Sequence, residues 1–126
     1  MEKSAIEEFT RDGNSFLYID FSGTKTNEQL TGTTKAVEEI IKKYPPHSVY
    51  TITNCENVRF DSETKEIMTK YMEYNKPYVK SGAVIGLDGI IKVMSNTVLR
   101  LSGRENLVFA FTKEQAVELL LKKKPS

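Results

Sequence analysis

Residues 76–104, KPYVKSGAVIGLDGIIKVMSNTVLRLSGR, decide the class of fold. Val79 and the run Ala83-Val84-Ile85 read as a buried strand, and Gly86-Leu87-Asp88-Gly89 reads as the turn that follows it. Apolar residues then recur at helical spacing through Ile91, Met94, Val98 and Leu101, until Gly103 stops the pattern. A strand, a tight turn and an amphipathic helix in that order make half of a β–α crossover, so the chain belongs to the α/β class.

The same reading extends outward in both directions. Toward the N-terminus, Ala5 to Thr10 and Ser15 to Ser22 flank Arg11-Asp12-Gly13-Asn14, and Asp-Gly between two such runs is a hairpin signal. Phe16, Tyr18 and Asp20 alternate with Leu17, Ile19 and Phe21, which predicts a central strand rather than an edge. Thr26 and Gln29 form a capping-box pair ahead of a helix whose face is Leu30, Val37, Ile40, Ile41 and Tyr44, stopped by Pro45-Pro46. Val49 to Thr53 is the next strand, and either Asp61 or Ser62 caps a helix through Ile67, Met68, Tyr71 and Met72. Beyond the opening stretch, Leu107 to Phe111 is a last strand, and Thr112 and Gln115 start a helix through Val117, Leu120 and Leu121. The expected order is β-β-α-β-α-β-α-β-α in one domain spanning 1–126, an antiparallel hairpin leading into an otherwise parallel sheet.

This order and three motifs of the opening stretch resemble the small bacterial proteins of the STAS/SpoIIAA-like group. The motifs are Lys-Pro-Tyr-Val-Lys at 76–80, Val-x-Gly-Leu-x-Gly at 84–89 and Leu-Ser-Gly-Arg at 101–104. The resemblance covers nearly the whole chain. It implies a STAS-type mixed sheet and a regulatory or protein-interaction role.

Bulk properties bound the rest. Charged residues make up 28% and hydrophobic ones 39%, which suits a folded domain. The net charge is +1 with both signs interspersed, so nothing pulls the chain toward nucleic acid. Lys122-Lys123-Lys124 reads as a solvated helix end. A single cysteine, Cys55, rules out an intrachain disulfide, and with no signal-peptide pattern or membrane span the expected location is the cytoplasm.

In a parallel sheet the strand C-terminal ends and helix N-termini gather on one rim, where free N–H groups make the default contact surface. Lys25, Asn54, Arg59, Gly86 and Asp88 are the candidate ligand or partner residues of that rim. Asp61, Ser62 and Glu63 form the candidate regulatory element. In STAS anti-sigma-factor antagonists an Asp-Ser-Ser/Thr-Gly element stands here, and its second hydroxyl accepts phosphate. By that alignment Glu63 takes the acceptor position and Thr64 that of the glycine; shifted by one, Ser62 takes the acceptor position, again with no glycine after it. A carboxylate at the acceptor position lacks the hydroxyl that takes phosphate in that pattern and mimics the charge of phosphoserine only in part. A plain helix cap explains the same residues.

Catalytic chemistry finds little support. Gly86 to Gly89 lacks both the P-loop ending and the GxGxxG spacing. His47 and Cys55 fall at opposite ends of one predicted strand, and one residue of each type cannot build a zinc site. No cofactor is expected, nor is enzymatic activity; Ser62, Asp88 or Cys55 would be the residues of a rim enzyme, without visible activating partners.

Two working roles follow. The first is a non-enzymatic STAS-like regulatory or interaction domain whose partner is a protein or a second copy. The second is a module of SEC14-like type for a small apolar ligand or lipid, motivated by Ile90, Val93 and Thr97, which lie beside the apolar stripe of the third predicted helix and widen it. Tyr74 and Tyr78 are candidates for an exposed aromatic interface, with Tyr71 in the core.

Overall fold

The computed structural model describes residues 5–58, 61–87 and 107–122. Among these, the elements run β1 Ile6–Arg11, β2 Asn14–Asp20, α1 Asn27–Ile41, β3 Val49–Asn54, α2 Ser62–Asn75, β4 Val79–Ile85, β5 Leu107–Ala110 and α3 Lys113–Lys122. The strands form one sheet in the order β1-β2-β3-β4-β5. Only β1 is antiparallel to its neighbour; the three remaining pairings are parallel. The helix expected after Gly89, with its apolar residues Ile90, Val93 and Thr97, lies outside the described residues.

Local chemistry accounts for the turns. Asp12 and Gly13 take φ of 54° and 78°, the two positive values that a type I′ hairpin turn needs. The Asn14 side-chain amide donates to the Asp12 carbonyl at 3.1 Å and steadies the tip. At the start of α1, Thr26 Oγ1 accepts the Gln29 N–H at 3.1 Å, while Gln29 Oε1 accepts the Lys25 N–H at 2.8 Å. The start of α3 repeats this: Thr112 Oγ1 accepts from Gln115 N, and Gln115 Oε1 accepts from Phe111 N. In both, the glutamine reaches one residue further back than in the usual capping box.

Two boundaries depart from expectation. The α-helix ends at Ile41, and Lys43 and Tyr44 donate their N–H groups three residues back, to Ile40 and Ile41. That tighter last turn precedes Pro45, whose missing N–H ends the pattern. Tyr44 therefore lies past the helix, where its hydroxyl donates to Glu8 of β1 at 2.7 Å. Burial first and the Glu8 carboxylate second push that phenol up to about 12. At the other boundary, β5 stops at Ala110 and Phe111 is 86% exposed, because its N–H already serves the α3 cap.

Alternation on β2 divides the core. Leu17, Ile19 and Phe21 face α1 and α2, where Leu30, Val37, Ile41, Met68, Tyr71 and Met72 close over them. Phe16 and Tyr18 share the other face with Tyr50, Ile52, Ala83 and Ile85, beneath Ala116, Val117 and Leu120 of α3. As the pattern at 16–21 predicts, β2 is paired on both sides. Lys80 is an extra residue where β4 slips against β3, since Val79 pairs with Val49 but Ser81 with Tyr50. Its ammonium sits 5.4 Å from the Tyr50 ring centre.

Candidate functional site

Because β2 to β5 run parallel, the chain segments after Asp20, Asn54, Ile85 and Ala110 emerge on one rim. The first turns of α1 and α2 meet there. Asp61 is the α2 N-cap, with Oδ1 accepting the Thr64 N–H at 2.8 Å, so Ser62 is the first helical residue. The Thr64 hydroxyl is buried and donates to Asn27 Oδ1 on α1 at 2.9 Å. This contact joins the two helices across 37 residues of sequence.

The expected residues fall into two groups around this joint. Lys25 lines a small cavity of about 20 Å³ between the helix starts, together with Thr26, Leu30, Val58 and Thr64. Ser62 and Glu63 are exposed. Glu63 forms one wall of an open groove of about 450 Å³, completed by Asn27, Glu28, Thr31, Gly32 and Lys35 of α1. Asn54 and Gly86 instead form a backbone knot. Asn54 Oδ1 accepts the Glu56 N–H at 3.0 Å, and its amide donates to the Tyr18 hydroxyl at 3.1 Å. Gly86 has φ of +81° and packs so tightly that an added Cβ would stand 2.6 Å from Glu56 N and 2.7 Å from Asn54 Oδ1. The glycine thus serves a strand exit whose shape no other residue fits. Arg59 and Asp88 lie outside the described residues.

Cys55 sits at the rim end of β3, but its side chain turns inward and is 1% exposed within the α1/α2 core. Burial raises the thiol to about 12, opposite to the direction a nucleophile needs. His47 lies before β3, at the far end, and its N–H donates to the Pro77 carbonyl at 3.0 Å. The two are kept apart as their spacing predicts. Among the described residues no group of three or more His, Cys, Asp or Glu side chains could hold a metal ion. No described helix is long and apolar enough to cross a membrane.

Of the tyrosines, Tyr71 is buried with its ring edge-on to Phe21 at 5.4 Å and its hydroxyl 3.1 Å from Thr53 Oγ1. Tyr74 is 37% exposed and its ring centre lies 6.2 Å from that of Tyr78, forming a small aromatic patch at the far end of α2. The sequence reading missed Asn27, Glu28, Gly32, Lys35 and Thr64 as parts of the rim surface. Their signal was the outward spacing of 28, 32 and 35 along α1, which becomes a groove wall only once α2 is known to lie beside it.

No model of a known protein family matches the chain, and no curated protein is significantly similar to it.

Proposed function

We propose that the chain is a non-enzymatic regulatory or protein-interaction domain of STAS-like kind. Its working surface is the junction of α1 and α2 at the rim. The observation that carries this is the Asn27–Thr64 joint, which locks two helix starts side by side and leaves Ser62 and Glu63 exposed beside the α1 groove. Such a surface suits a polypeptide partner. Its walls are mixed in charge and polarity, like the rim of an ordinary interface, and the groove is open rather than the enclosed apolar pocket of a small-molecule site.

Glu63 argues against a phospho-switch at this element. Glu63 already carries a carboxylate where the family pattern has its acceptor hydroxyl. The next hydroxyl, on Thr64, is buried and committed to Asn27. Ser62 remains an exposed hydroxyl at the helix start, without the glycine that follows the acceptor in the pattern.

Affinity capture from native lysate, with both wild type and a Glu63→Lys variant as bait, tests the proposal. Wild type is expected to retain a protein partner, another copy of the chain included, and the variant to lose it. Recovery of no protein above background across several salt concentrations overturns the reading.

A further inference from the structure

We infer that the groove on α1 receives α1 of a second copy of this chain, the two helices packed antiparallel about a two-fold axis between Thr31 and Gly32. This rests on the interaction reading above and names the partner for the same surface.

Charge is the first reason. Glu28 and Lys35 line the groove on opposite sides of that axis, each about one helical turn away from it. A two-fold axis there sets each Glu28 against the second copy's Lys35, twice over, and places the two helix dipoles antiparallel. On α1 and α2, Glu39 pairs with Lys42 at 2.8 Å and Glu66 with Lys70 at 3.3 Å within the chain. Among the described residues neither Glu28 nor Lys35 belongs to an ion pair. The Glu28/Lys35 stripe of α1 is therefore self-complementary, and Glu63, the third charge of the groove, adds a second carboxylate for Lys35 of the other copy to meet.

Space is the second reason. Gly32 stands in the middle of a 15-residue helix, where glycine is among the least favourable residues. Nothing inside the chain requires it: a Cβ built there meets no atom within 4 Å. Its φ is not positive, so no turn geometry demands it either. A glycine with no internal use, at the centre of the groove, lets another backbone approach closely. Two such helices bury less surface than a standard stable interface, so the dimer is a weak and reversible one.

Sedimentation equilibrium of the full chain from about 10 μM to about 1 mM reads the association directly. Wild type is expected to shift from monomer to dimer over that range. Lys35→Glu and Glu28→Lys should each raise the Kd by about tenfold or more, and the two together should restore it, since the swapped pair is again self-complementary. Gly32→Leu should abolish the dimer while circular dichroism shows the monomer still folded. A wild type that stays monomeric throughout overturns the inference, and so does a dimer indifferent to the charge swap. If the monomer nevertheless captures a different protein through Glu63, the interaction reading stands and only self-recognition falls.

Discussion

On one face of the sheet, helices of 15 and 14 residues bury a mainly aliphatic layer; on the other, the described helix of 10 residues covers a layer that includes a row of stacked rings. Phe9 stacks on Phe16 at 5.0 Å, and Phe16 meets Tyr50 at 5.1 Å. Over the edge of this stack, Lys113 lies 4.9 Å from the Phe9 ring centre and 4.7 Å from that of Tyr18 while bonding Glu7 of β1. Arg11 and Glu114 add a second ion pair between β1 and α3 at 3.3 Å. A helix of this length does not hold together alone in water. The difference teaches that α1 and α2 support each other as a layer, whereas α3 owes its order to docking Ala116, Val117 and Leu120 on the sheet, the exposed charges at its first turn adding little.

The largest test compares one deep truncation on each face. Phe21→Ala should cost about 3–5 kcal/mol and Leu120→Ala about 2–5 kcal/mol in chemical denaturation. Amide exchange separates them: Leu120→Ala should speed exchange across 113–122 well ahead of global unfolding, and Phe21→Ala should raise all regions together. If α1 and α3 lose protection equally in both variants, the faces are not distinct and the comparison fails.

Gly86→Ala comes next, because this glycine sits where the two faces join through Asn54 and Tyr18. Strain at positive φ and the clash with the Glu56 amide should remove about 2–4 kcal/mol, measured by the denaturation midpoint. An alanine variant as stable as wild type would show that the exit of β4 is freely remodelled.

Cys55 gives a pH test of the two-helix face. Its folded pKa is raised from 9.0 to about 12, so the native state holds its proton where the unfolded chain loses it. Stability is untouched below about pH 9 and should fall between 9 and 12, by at most about 1.4 kcal/mol per pH unit. Tyr44 is raised over a similar range, so the slope should be read in Tyr44→Phe with and without Cys55→Ala. A slope that survives removal of the cysteine assigns it elsewhere.

The smallest effect belongs to the charges on the other face. Arg11→Gln should lower the melting temperature slightly at low salt and not at all at high salt, since both members of its ion pair are solvent-exposed. A loss that persists in high salt would mean that packing, not charge, fixes the start of α3.

Much of this architecture was legible from short-range chemistry. Asp12-Gly13, the Thr26/Gln29 and Thr112/Gln115 pairs, and the alternation at 16–21 each state a local requirement that few structures satisfy. What escaped was set by distance along the chain. Whether Asp61 or Ser62 caps α2 depends on one rotamer, and both residues are good caps. Thr64 looks like any helix-start threonine until Asn27 is brought beside it. The apolarity of the exposed Phe111 continues that of Leu107 to Ala110 and so predicts one more strand residue, while the cap bond to Gln115 ends the strand first. Of the rim, the sequence located the segments but not their division into a working groove at Glu63 and a structural knot at Gly86.

Among the described strands, order in the sheet equals order in the chain, so each pairing joins successive strands. Apart from the β1–β2 hairpin, each closure spans a single crossover, and the entropy cost of closing it grows only slowly with its length. The sheet can therefore grow one strand at a time, in the direction of synthesis, without waiting for a remote segment. The contacts of α3 with β1 and β2 are remote instead, among them the ion pairs Arg11–Glu114 and Lys113–Glu7, whose members lie 103 and 106 residues apart. Those two contacts can close only after the last strand is in place, which makes them the natural reporters of completed folding.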